Sequence, residues 1–100
     1  MANERLRDWP TKAETLVLQM LQNETGGMYG LEIVQASKGA IKRGSVYVLL
    51  GRLEEKGFVK AQKPKADLDY PGLPRPLYKL TAEGSRVLAA AEELGLAVGV

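Results

Sequence analysis

The side chains of this 100-residue chain best equipped for chemistry are cations and small donors gathered near its middle: Lys42, Arg43, Gly44, Ser45, Tyr47, Val48 and Arg52. Lys and Arg donate charge-assisted hydrogen bonds to phosphate oxygens, and Arg also forks onto a guanine edge. Ser45 and Tyr47 add neutral donors, and Val48 offers an apolar contact of the kind a thymine methyl accepts. A glycine near a helix start leaves backbone N–H groups open to an anion. The grouping suits holding a polyanion rather than breaking a bond. Catalysis has little to work with, because the chain contains no His and no Cys. That removes the usual zinc ligands and the usual neutral-pH general base. A Gly-rich phosphate loop ending in Lys-Ser or Lys-Thr is also missing from the sequence. Neither an enzyme, nor a metal site, nor a cofactor is expected.

The net charge of +2 conceals an asymmetry. From Lys38 to Lys65 there are eight basic residues and two acidic ones, a net +6 set against −4 in the rest of the chain. A basic segment on an otherwise acidic domain is the electrostatic footprint of a polyanion; a merely solvated charged surface is the plainer alternative. The N-terminus, MANERLRDWPTKAE, has charge but no apolar h-region, and no apolar run approaches the ~20 residues of a membrane span. Together with the lack of cysteine this points to a cytoplasmic protein with no membrane partner.

These residues need elements to position them. Thr11-Lys-Ala-Glu14 reads as a capping box opening a first helix, with Ala13, Leu16, Val17, Met20 and Leu21 as its stripe and Gly26-Gly27 as its stop. Trp9 precedes the cap as a core or subunit-contact residue. A second helix is expected from about Tyr29 to Ser37, closed by Lys38-Gly39. The third runs from about Lys42 to Lys56 and ends at Gly57. Val46, Leu49, Leu50 and Leu53 form its apolar stripe, leaving Gly44, Val48, Gly51 and Glu55 on the other side. Solvated helix faces are normally long and charged, and a mid-helix glycine costs roughly 1 kcal/mol against alanine. So bare a face fits the close approach of a partner, either a DNA groove or another protein helix.

Beyond Gly57, Phe58–Lys63 and Leu77–Leu80 read as two strands around the loop KPKADLDYPGLPRP. Thr81 then caps a last helix with Val87, Leu88, Ala91 and Leu94 on one face. The expected class is mainly α with a small β-hairpin, in the order α-α-α-β-β-α, the plan of a winged helix-turn-helix. One domain over residues 1–100 is expected, with the wing at about 58–80 and a C-terminal helix at about 81–94 that is a possible dimerisation element.

Four words in series carry a resemblance to a known family: Met28-Tyr29-Gly30-Leu31-Glu32-Ile33; Gly44-Ser45-Val46-Tyr47; Leu49-Leu50 with Arg52-Leu53-Glu54-Glu55-Lys56-Gly57-Phe58-Val59; and Tyr78-Lys79-Leu80-Thr81-Ala82-Glu83-Gly84. Over about residues 11–90 the chain resembles the PadR-like transcriptional regulators. The resemblance implies a homodimer on operator double-stranded DNA, usually a repressor, with dimer contacts from the N-terminal and C-terminal helices. It places residues 42–52 on the recognition helix and 63–75 on the wing, where Lys63, Lys65 and Arg75 would meet flanking phosphates or the minor groove. Tyr47 matches a characteristic tyrosine of the family; as plain structure it would be a core-edge residue with a wet hydroxyl. Some family members bind aromatic effectors at the dimer interface, but no residue here demands one. The chain departs from the family where Val48 replaces a frequent Pro, where Gly51 replaces a frequent Lys or Arg, and in its short last helix. The competing reading from another class is a winged-helix protein-interaction module without duplex binding.

Overall fold

The computed structural model of the protein describes residues 9–62 and 76–95. Helix α1, Lys12–Gln22, opens with the capping box that the spacing predicts. The Glu14 amide donates to the Thr11 hydroxyl at 3.2 Å, and the Thr11 amide donates back to the Glu14 carboxylate at 2.8 Å. Val17, Leu18 and Leu21 are buried on its inner face. The helix ends at Gln22, before the Gly26-Gly27 pair expected to stop it. Gly27 has a different task. Its φ is +93°, and a Cβ there would lie 2.9 Å from Leu77 Cγ, Lys79 Cγ and the Tyr78 carbonyl oxygen. Only a residue without a side chain brings the backbone so close to the neighbouring strand.

That approach creates an element the sequence reading missed. Strand β1, Met28–Tyr29, pairs antiparallel with β3, Leu77–Leu80, placing Met28 opposite Tyr78. Strand β2, Val59–Gln62, pairs on the other side of β3. The expected hairpin is thus the larger part of a three-stranded sheet in the order β1-β3-β2. Two residues are too few to show alternation, so β1 is defined by its partner rather than by its own pattern.

Helix α2, Gly30–Ala36, begins one residue later than expected, with the Tyr29 amide held by the Glu32 carboxylate at 2.8 Å. Its exit is left-handed at both Lys38 (φ +53°) and Gly39 (φ +96°). The Ser37 hydroxyl fastens the turn: it donates to the Val34 carbonyl at 2.7 Å and accepts the Ile41 amide at 3.0 Å. Helix α3, Arg43–Glu55, follows directly, with Lys42 and Lys56 as its caps. Gly57 (φ +82°) donates to the Glu54 carbonyl at 3.0 Å and Phe58 to that of Leu53 at 2.9 Å, the paired bonds of a Schellman ending. Helix α4, Ala82–Glu93, is capped by Thr81, whose hydroxyl accepts the Gly84 amide at 2.9 Å. The same hydroxyl donates to the Gly57 carbonyl at 2.6 Å, tying the start of α4 to the end of α3.

The core is one cluster. Leu18, Leu21, Ile33, Ile41, Val46, Leu50, Leu53, Phe58, Val59 and Leu88 meet in it from all four helices and the sheet. Burying each large apolar side chain contributes roughly 1.5–3 kcal/mol. One ion pair also enters it: Lys56 Nζ donates to the Glu14 carboxylate at 2.9 Å, and Glu14 is wholly buried. Gly84 permits the tightest approach of all, since a Cβ there would overlap the Phe58 carbonyl oxygen. Among the described residues no helix is long and apolar enough to cross a membrane, and no cluster of His, Cys, Asp and Glu could hold a metal. The apolar end of the chain, Leu96, Val98 and Val100, lies outside the described residues.

Candidate nucleic-acid interface

The apolar stripe of α3 seats as its spacing requires: Val46, Leu49, Leu50 and Leu53 are buried. That orientation turns the opposite side outward. Lys42, Arg43, Gly44, Ser45 and Arg52 are all exposed, while Tyr47 and Val48 keep 48% and 54% of their surface. The structure therefore brings seven of the expected site residues together along one helix and its cap. Lys63, Lys65 and Arg75 lie outside the described residues.

The start of α3 is electrostatically unusual. Its N-cap is Lys42, which makes no side-chain cap bond, and no acidic residue occupies the first turn. Ser45 and Val46 donate to the Lys42 carbonyl at 2.9 and 3.0 Å, so the amides that precede them, of Arg43 and Gly44, sit ahead of the helical ladder. A helix start carries partial positive charge, and cations there are unfavourable. Lys42 and Arg43 add two. Among the described residues the ion pairs are Lys56–Glu14 and Arg86–Glu83, so none of Lys42, Arg43 and Arg52 is neutralised by one. Amides, charges and helix dipole together make a seat for an anion, and no carboxylate among the described residues pairs with its cations.

The two glycines of the outer face have no packing reason of their own. A Cβ at Gly44 or at Gly51 would meet nothing within 4 Å. They differ in this from Gly30, where a Cβ would lie 2.7 Å from Tyr47 Cε1 and 2.9 Å from its hydroxyl oxygen. Tyr47 thus lays one side of its ring on the first residue of α2 and leaves the other half exposed, locking the two helices of the helix-turn-helix together. Sequence reasoning missed this contact, although Gly30 and Tyr47 stand in two of the quoted words; no local periodicity links them. Behind it, burial, the Glu54 carboxylate and Tyr47 raise the Tyr78 phenol above its usual value of 10, so Tyr78 stays neutral.

Solved structures share the fold. A PadR-like transcription factor from Bacteroides fragilis is 26% identical, with a TM-score of 0.72 over 94% of this chain and 87% of its own. A PadR family transcriptional regulator from Eggerthella lenta is 31% identical, with a TM-score of 0.64 over 81% of this chain and 71% of its own. The fold also matches MepR of Staphylococcus aureus in complex with DNA, at 21% identity and a TM-score of 0.71, over 94% of this chain and 72% of that one. No curated protein matches the sequence. The model of the transcriptional regulator PadR-like family matches residues 17–90, from the middle of α1 into α4, and with the winged helix-turn-helix geometry above, the chain belongs to that family.

Proposed function

We propose that the protein is a sequence-specific DNA-binding regulator, a single winged helix-turn-helix domain that represses transcription in the cytoplasm as a homodimer. In this reading α3 enters the major groove. Arg43, Ser45 and Tyr47 reach phosphates or bases, Val48 meets a thymine methyl, and Arg52 reaches the backbone or a guanine. Gly44 and Gly51 let the helix backbone come close to the base edges. Lys42 and the open amides at the helix start take a phosphate. Lys63, Lys65 and Arg75 are assigned to flanking backbone through the wing. Two copies joined through α1 and α4 would place their recognition helices near the ~34 Å repeat of successive major-groove faces. Catalysis and a bound cofactor form no part of the reading.

The observation that carries it is the start of α3: uncapped, cationic and bare, where a stable solvent-facing helix would be capped, acidic and long-chained. MepR, which shares the fold at 21% identity, was crystallised in complex with DNA, and this agrees with a DNA-binding role. The test is duplex binding by the Arg43→Ala/Arg52→Ala double variant. Wild type should bind with an affinity that falls steeply with salt, and the variant should bind at least tenfold more weakly with unchanged helix content. Equal binding by the two proteins would remove α3 from the interface. Salt-insensitive or absent binding by the wild type would instead favour a protein partner on the Gly44–Val48–Gly51 face.

A further inference from the structure

Lys38, in the turn between α2 and α3, has a backbone conformation that its own side chain opposes. Its φ of +53° is the positive φ of a non-glycine residue, and Gly39, Gly57, Gly27 and Gly95 supply the other positive values among the described residues. A Cβ makes this region unfavourable, and Gly or Asn normally takes it. Lys38 is exposed, so core packing does not demand a lysine. A cation can also serve the negative end of a helix. The last turn of α2 is the unstrained place for it, and that turn holds no basic residue.

The turn is rigid as well as strained. The Lys38 amide donates to the Gln35 carbonyl at 3.2 Å, and the Ala40 amide to that of Ser37 at 3.1 Å. The Ser37 hydroxyl holds the Ile41 amide, and Ile41 is buried in the core. Lys38 therefore projects from a fixed backbone four residues before the N-cap Lys42. From Ile33 to Leu53 the chain has no acidic residue, so Lys38, Lys42 and Arg43 have no carboxylate close to them in sequence. Strain kept at an exposed, rigid, cationic position points to a function of the charge.

We propose that Lys38 is a further DNA-contacting residue, donating from the helix-turn-helix turn to a backbone phosphate beside the one at the start of α3. The proposal rests on the DNA-binding reading above. Lys38→Gly, Lys38→Gln and Lys38→Arg separate charge from backbone. Binding to a mixed-sequence 30-base-pair duplex is measured at 50 and 200 mM salt, with thermal melting of each protein. A phosphate contact is independent of base sequence, so no operator is needed. Lys38→Arg should match wild type. Lys38→Gly and Lys38→Gln should bind about fivefold more weakly at 50 mM salt, and the slope of log affinity against log salt should flatten by about 0.9 per bound copy. Lys38→Gly should melt no lower than wild type, because glycine relieves the left-handed strain. Unchanged affinity and slope in both neutral variants, with wild type binding normally, would overturn the role of Lys38 alone. If wild type shows no salt-sensitive binding, the DNA reading and this residue fall together.

Discussion

Thr11 and Thr81 each set a hydroxyl oxygen on a first-turn amide of the helix they precede, and Glu14 and Glu83 stand in those same first turns. Lys42 offers α3 no such acceptor, and Arg43 and Gly44 follow it. Three helix starts in one small domain are thus built by two chemistries. In α1 and α4 one orphan amide is satisfied by the capping threonine and the dipole meets acid, which favours the helix by itself. In α3 the amides stay open and the dipole meets cations, which disfavours the helix until an anion arrives. The cost is borne by the buried stripe Val46, Leu49, Leu50 and Leu53, which holds α3 in place whatever happens at its start. In the proposed reading, stability and binding fall to different sides of one helix.

The largest effect on stability should come from the α1 start. Glu14 closes the capping box and also receives Lys56 from the far end of α3, both groups being largely out of water. Removing one partner of a buried pair leaves the other charge uncompensated. Glu14→Ala should lower unfolding stability by about 3 kcal/mol in urea titrations. Glu14→Gln, which keeps the acceptor oxygen and the shape, should cost clearly less. Equal losses in the two variants would mean that the charge of Glu14 carries the whole effect and that its acceptor oxygen and shape add little.

Glycines sharpen the contrast. A methyl group at Gly84 would strike the Phe58 carbonyl, and α4 cannot retreat while Thr81 is bonded to both Gly57 and Phe58. Gly84→Ala should therefore destabilise by about 2 kcal/mol. At Gly51 the same methyl group meets nothing, and Gly51→Ala should stabilise by up to about 1 kcal/mol through helix propensity alone. Under the proposed docking its affinity for duplex DNA should nonetheless fall, because the added carbon would stand between the helix and the base edges. A Gly51→Ala protein that is destabilised would show a packing role for this glycine that the geometry gives no room for.

What the sequence reveals of this design is what is local. The stripe of α3, the caps at Thr11 and Thr81, the ending at Gly57 and the bounds of β3 all arise from neighbours within a few residues, and each is legible as a pattern. The features it hides join distant segments. β1 exists only through β3, Gly27 and Gly84 are fixed by strands and loops far along the chain, and Lys56 meets Glu14 across 42 positions. The candidate site divides the same way. Helical period is enough to place Gly44, Val48, Gly51 and Glu55 on one side of a helix. That Tyr47 leans on Gly30, and that Lys38 rather than Gly39 begins the left-handed turn, required coordinates. A Lys-Gly pair after a helix reads as glycine doing the turning, since glycine does so at least cost.

The smallest change in stability is the most direct probe of the comparison, because it converts one kind of helix start into the other. Lys42→Asp gives α3 the acceptor that Thr11 and Thr81 give to α1 and α4. The extended backbone at Lys42 (φ −90°, ψ 153°) already has the geometry of a capping residue. An aspartate there accepts from a first-turn amide and opposes the dipole with the favourable sign, so stability should rise by about 1 kcal/mol. The same carboxylate fills the anion seat from within and repels phosphate, so duplex affinity should collapse more than tenfold at low salt. Lys42→Ala, with neither cap nor charge, should leave stability nearly unchanged and weaken binding only moderately. Opposite signs for folding and binding in Lys42→Asp are the signature of a helix start reserved for a polyanion. If Lys42→Asp unfolds more easily than wild type, Lys42 is supporting the fold and the contrast between the helix starts loses its meaning.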